Sequence, residues 1–216
     1  GDGGCFHHGA FTARSPGAKG EPGGTTGAEA DPTRTSDNDA LVTLRAVMQR
    51  LEFYAMGCHM LAVVDADSPA AETSLVKIVD RFAAWERTLS RFRDDSELMA
   101  LNASAGRPVR VGGTLWQVID ASLAAAQWTG GLATPMVLQA VQAAGYDRSF
   151  DELSGGESRL RQQKPLADWQ AVQMDPTRQT VRVPPGAGID LGGFAKGWAA
   201  DQAVLALAKA GPALMD

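Results

Sequence analysis

The chain has 216 residues, 44% of them hydrophobic and 21% charged, which suffices for one sizeable core but not comfortably for two. A formal net charge of -5 leaves no basic field of the kind duplex nucleic acid requires, so nucleic acid is not an expected partner. Apolar runs such as Met60 to Val64 fall far short of the roughly 18 to 20 residues of a membrane span, and two cysteines, Cys5 and Cys58, give no disulfide framework.

Residues 1–39 are crowded with Gly, Pro, Ser, Thr and Asp and nearly lack aliphatic side chains, so they are expected to form a disordered leader. His7 and His8 then read as solvated tail residues rather than metal ligands. A single domain is expected over residues 40–216. It opens with a helix-like stretch from Leu41 to Leu51, followed by Phe53 to Val64, which is apolar at nearly every position and reads as one buried strand. On that strand Cys58 reads as a small buried hydrophobe and His59 as a hydrogen-bonded core histidine.

Pro69 and Glu72 open a helix whose apolar face is Leu75, Val79, Phe82, Trp85 and Leu89. Ser90 to Leu98 carries a capping-box pattern for a short second helix ending at Asn102, with Glu97 as its capping acid. Pro108 to Val111 reads as a short strand. Leu115, Val118, Ile119, Leu123 and Ala126 mark a helix stopped by Gly130 and Gly131, and a further helix is expected from Pro135 to Ala144, closed by Gly145. Ser149 to Lys164 is polar and loop-like. Trp169 to Met174 and Thr180 to Val183 then alternate around Asp175-Pro176 as a hairpin, and a last helix runs from Phe194 or Lys196 to Leu207, ended by Gly211 and Pro212. Helices mixed with an antiparallel hairpin favour an α+β domain over a doubly wound sheet.

The segment richest in chemistry is Ile189-Asp190-Leu191-Gly192-Gly193-Phe194-Ala195-Lys196-Gly197-Trp198-Ala199-Ala200-Asp201. It sets a carboxylate at a strand end, two glycines that permit close backbone approach, and a lysine in the first turn of a helix. A helix start suits a phosphate, and a lysine there opposes the helix dipole unless an anion answers it. A glycine-rich turn with a surface lysine fits the same residues. No Walker loop and no Gly-x-Gly-x-x-Gly spacing occurs, so the kinase and nicotinamide readings lose support. Asp201 reads as a helix-surface acid.

This segment resembles the Asp-Leu-Gly-Gly-Ile-Ala-Lys-Gly-Tyr-Ala-x-Asp signature of the FAD:protein FMN transferases, the ApbE family. Four further stretches follow the family's order: Ala55-Met56-Gly57; Leu89-Ser90-Arg91-Phe92 with Ser96-Glu97 and Leu101-Asn102; Thr129-Gly130-Gly131-Leu132; and Gly145-Tyr146-Asp147. The resemblance runs from about Phe53 to Asp216. It implies a T-fold-related α+β domain with a mixed, largely antiparallel sheet and packed helices. It also implies a magnesium-dependent transferase that moves FMN from FAD to a Thr or Ser hydroxyl of a partner flavoprotein and releases AMP.

Carried over by position, Met56, Phe92 and the Leu132-Ala133-Thr134 turn look like flavin or adenine contacts, with core packing the other role for Met56 and Phe92. Asp190 and Lys196 match FAD-contacting positions. Gly193 matches a magnesium-ligand position and offers only its backbone carbonyl. The chain departs from the family pattern at Ala133-Thr134-Pro135-Met136, where a carboxylate is missing. Both ends of the chain read as cut, and the family's Gly-Gly-Asp strand and later metal ligands are expected beyond Asp216, which leaves this chain inactive alone. No flavinylation acceptor motif occurs. An FAD-binding protein without transfer activity, an FAD pyrophosphatase and a partner-binding scaffold are the other readings.

Overall fold

Two strands fill the stretch that reads as one. In the computed structural model, which describes residues 48–148 and 166–216, β1 (Met48–Ala55) and β2 (Cys58–Asp65) pair antiparallel from Met48↔Asp65 to Ala55↔Cys58. The reversal falls on Met56 (φ 52°) and Gly57 (φ 74°). Two consecutive left-handed residues make the turn whose twist suits a hairpin, but the usual Asn-Gly or Asp-Gly is replaced by Met-Gly. The leader 1–39, with His7, His8 and Cys5, lies outside the described residues, as do 41–47 and the polar stretch 149–164. Residues 48–51 of the expected helix belong to β1.

Met60, Ala62 and Val64 of β2 face the core, and the alternate residues are more exposed. His59 therefore lies on the outer face, its ring edge-on to Tyr54 at 5.2 Å, rather than in the core. A third strand, β6 (Ala213–Met215), which the sequence pattern does not announce, pairs antiparallel with β2. The chain enters it through Gly211, where a Cβ would stand 2.9 Å from the Asp65 carbonyl oxygen.

α1 (Pro69–Leu89) begins as expected, with Pro69 in its first turn and the Ser68 hydroxyl accepting from the Ala71 N–H at 3.2 Å. Its buried face is Ala71, Leu75, Ile78, Phe82, Trp85 and Leu89. α2 (Glu97–Ala103) is capped by Ser96, which accepts from Met99 N–H at 3.1 Å. Glu97 sits at the first helical position, too early to complete a capping box. Its carboxylate instead accepts from the N–H of Gly112, the residue that opens α3 (Gly113–Trp128).

β3 (Val109–Arg110) pairs antiparallel with the second strand of the expected hairpin, β4 (Gln173–Asp175) and β5 (Thr180–Arg182), giving the order β3-β5-β4. The turn is tied by Asp175, whose carboxylate accepts from the Thr177 and Arg178 N–H groups at 2.9 and 3.1 Å. The hydrogen bond from the Arg178 backbone is the main cause holding this carboxyl below the usual range. α4 (Leu138–Ala143) starts three residues later than Pro135, because Pro135 to Val137 form a turn.

α5 (Ala195–Leu207) buries Ala195, Ala199, Ala203 and Leu207, a stripe of mostly small side chains that lets it lie close to α1. A run of edge-on aromatic rings fixes this packing: Phe53 on Phe82 at 5.3 Å, Phe82 on Trp85 at 5.1 Å, and Trp85 on Trp198 at 5.4 Å. The described residues fall within one unit, Arg45–Asp216, and share one hydrophobic core. Among the described residues the fold is α+β, with helices and two three-stranded antiparallel sheets sharing that core.

Candidate functional site

A cleft of about 600 Å³ opens where the β1–β2 turn, the C-terminal end of α1 and the start of α5 meet, a size suited to a cofactor-sized ligand. The turn supplies Met56 and Gly57. Met56 is tied down by its backbone N–H, which donates to the Glu86 carboxylate of α1 at 3.3 Å. At the end of α1, Ser90 donates its N–H to the Glu86 carbonyl at 3.0 Å, and its hydroxyl accepts from Phe92 N–H at 3.2 Å. The chain thereby turns sharply and presents Arg91, Phe92 and Arg93 to the cleft.

The opposite wall is residues 188–196. Asp190 does not end a strand; it lies in an extended segment outside both sheets. Asn102 of α2 substitutes for a strand partner, accepting from Ile189 N–H at 2.8 Å and donating to the Ile189 carbonyl at 2.9 Å. One residue on, Asp190 N–H donates to the Pro135 carbonyl at 2.8 Å. The Asp190 carboxylate folds back to accept from Gly192 N–H at 2.7 Å, and a Cβ on Gly192 would sit 3.0 Å from that same oxygen. A side chain there would press on the Asp190 carboxylate. The Leu191 carbonyl accepts from Phe194 and Ala195 at 2.9 and 2.7 Å, which starts α5 and places Lys196 in its first turn.

The second Asp190 oxygen accepts from Arg91 Nε at 2.8 Å, in an ion pair whose side chains are only 8% and 5% exposed. The Arg91 guanidinium also packs on the rings of Phe92, at 4.1 Å, and Tyr146, at 4.3 Å. Lys196 stands at the rim, exposed, with Nζ donating to Cys58 Sγ at 3.1 Å, so the half-buried Cys58 is more than a hydrophobic filler. Three cations, Arg91, Arg93 and Lys196, and two carboxylates, Glu86 and Asp190, line the cleft; Arg91 is paired with Asp190 and Arg93 with Asp95.

Met56, Phe92, Asp190, Gly193 and Lys196 thus line one cleft, although they are spread over more than a hundred residues of chain. Leu132, Ala133 and Thr134 do not line it. Leu132 is 93% exposed, Ala133 N–H donates to the Thr129 hydroxyl, and the Thr134 hydroxyl accepts from Met136 N–H, contacts that shape the end of α3. Asp201 is exposed on α5. Arg91 and Tyr146 stand within the quoted motif stretches, yet nothing in their local sequence marks Arg91 as the partner of Asp190 or Tyr146 as a ring packed on Arg91. Among the described residues, no group of three His, Cys, Asp or Glu side chains is placed to hold a metal ion. No helix of the described residues is long and apolar enough to cross a membrane.

Residues 56–213 match the model of the ApbE family. The chain belongs to the ApbE family. Its match begins at Met56, the turn residue on the cleft wall. The chain is 34% identical over 146 residues to the FAD:protein FMN transferase of Treponema pallidum, covering 63% of this chain and 40% of that protein. In fold it is similar to the ApbE protein of Thermotoga maritima, with a TM-score of 0.64 at 23% identity over 75% of this chain and 53% of that one. It is also similar to the apo flavinyl transferase ApbE of Pseudomonas stutzeri, at TM-score 0.64 and 18% identity, over 78% of this chain and 58% of that one. The chain thus spans less than two-thirds of each of these three proteins.

Proposed function

We propose that the complete protein binds FAD in this cleft and transfers its FMN group to a Thr or Ser hydroxyl of a partner flavoprotein. The observation that carries the reading is convergence: residues from four of the five motif stretches, including Met56, Phe92, Tyr146 and Asp190, reach one cleft. In the reaction, the bond between the FMN phosphorus and the bridging oxygen breaks and AMP leaves. A phosphorus–oxygen bond forms to the acceptor, whose hydroxyl gives up its proton to solvent. Transfer of this kind depends mainly on positioning and charge neutralisation.

Within the reading, Lys196 neutralises phosphate oxygens at the rim, and Met56 and Phe92 supply apolar surface for a flat ring system. Asp190 acts through its neighbours, since its two oxygens hold Gly192 and Arg91. Magnesium enters through the family resemblance, and bound there it would offset charge developing on the phosphoryl oxygens. Gly193 lines the cleft but carries no side chain, and no cluster of three metal-ligating side chains occurs among the described residues, so these residues alone do not fit the metal. Titration of the full-length protein with FAD should give a saturable change in flavin fluorescence at tens of micromolar or below. Addition of an acceptor flavoprotein with magnesium should then yield equal amounts of AMP and protein-bound flavin. A folded protein that leaves flavin fluorescence unchanged sinks the proposal.

A further inference from the structure

Among the described residues that line the cleft, Arg91 alone has a buried side-chain donor without a partner. Its side chain is 5% exposed, its Nε is committed to Asp190, and its Nη2 is buried with no hydrogen-bond partner. A buried charged donor left without an acceptor is costly, so such a group calls for a partner outside the resting structure. The guanidinium is held in one pose by the Asp190 bond and by two rings, and Asp190 is itself fixed by Gly192 N–H. Those rings, Phe92 and Tyr146, are 42% and 36% exposed, so both reach solvent beside the guanidinium.

We propose that Arg91 is the anion receptor of the cleft: its free Nη2 edge donates to an oxygen of the FAD diphosphate, while Asp190 and Gly192 hold the guanidinium in register. This rests on the FAD reading above. It differs in assigning the diphosphate to a buried, pre-positioned fork rather than to the exposed Lys196 alone. Arginine suits the task because its planar fork serves Asp190 with one edge and a phosphate with another, which a lysine ammonium cannot do in one geometry. Asp190 does not cancel this role, because an ion-paired guanidinium keeps its remaining donors.

The test uses the full-length protein, with Arg91→Gln and Arg91→Lys, and three probes: FAD, riboflavin (which has no phosphate) and inorganic pyrophosphate. Arg91→Gln is expected to raise the FAD Kd roughly ten-fold or more, in keeping with one charged hydrogen bond, while the riboflavin Kd stays within about two-fold. Pyrophosphate should displace FAD from the wild type and not from Arg91→Gln; Arg91→Lys should fall between them. Unchanged FAD affinity in Arg91→Gln, equal losses for FAD and riboflavin, or no pyrophosphate displacement in the wild type would each overturn the assignment. Should Arg91→Gln fail to fold, Arg91→Lys and the wild-type displacement decide the matter. If the wild type binds no FAD, the functional reading falls. The anion receptor then survives only if pyrophosphate raises the Tm of the wild type and not that of an Arg91 variant.

Discussion

Asp190 and Lys196 are six residues apart and line the same cleft, but they meet different physical demands. Asp190 is buried against Arg91, and a buried pair deprived of one partner leaves the other as an uncompensated charge. Asp190→Asn keeps an oxygen for Gly192 but removes the anion. It should lower stability by about 3 kcal/mol, read as a shift in the urea midpoint at neutral pH. A change below about 1 kcal/mol would mean that the pair contributes little. Lys196 is exposed and its hydrogen bond is to Cys58, so Lys196→Ala should leave the urea midpoint within about 0.5 kcal/mol. Its effect is expected on ligand instead: a roughly ten-fold or greater rise in FAD Kd or fall in transfer rate for the full-length variant. Wild-type affinity and rate would refute that role.

Among the elements, Asn102 is the clearest case of one side chain replacing a strand. Its amide satisfies both backbone groups of Ile189, a residue with no exposed surface. Asn102→Ala strands a buried N–H and a buried C=O together, at about 2 to 4 kcal/mol, and loosens the segment that carries Asp190. Asn102→Asp keeps the acceptor and should lose less. A denaturant series on the two variants checks the order; equal losses would show that the Ile189 carbonyl finds water.

The same elements show what the sequence carries and what it withholds. Helices α1, α3 and α5 are legible because capping residues, Pro69, paired glycines and periodic apolar positions all agree on them. The β1–β2 hairpin is not, because Met56-Gly57 lacks the usual turn chemistry and the apolar run on both sides hides the reversal. β6 is too short, at three residues, to show a period. Glu97 is misread because a capping acid is recognised by spacing alone, whereas its partner Gly112 is supplied by tertiary structure. Motif resemblance brings Met56, Phe92, Asp190, Gly193 and Lys196 to one cleft. It does not reveal that Arg91 closes on Asp190, since that pairing depends on how α1 and the 188–196 segment dock.

At the scale of the molecule, one core joins both sheets to α1, α3 and α5, and the aromatic run from Phe53 to Trp198 ties the hairpin to the helix carrying Lys196. Unfolding of the unit 45–216 should therefore be cooperative. Tryptophan fluorescence and far-ultraviolet circular dichroism should trace coincident urea transitions. Separate midpoints would divide the unit into independently melting parts.

The long separation between the two cleft walls also has a consequence for synthesis. Asn102 bonds Ile189 across 87 residues, and Arg91 waits still longer for Asp190. At the usual 5 to 20 residues per second, a ribosome takes roughly 5 to 20 s to travel from one member of that ion pair to the other. During that interval the nascent chain carries half a cleft, with a guanidinium that has no carboxylate to bury against, and this half must remain solvated rather than packed. On the anion-receptor proposal, capture of the ligand follows emergence of the 188–196 segment from the exit tunnel.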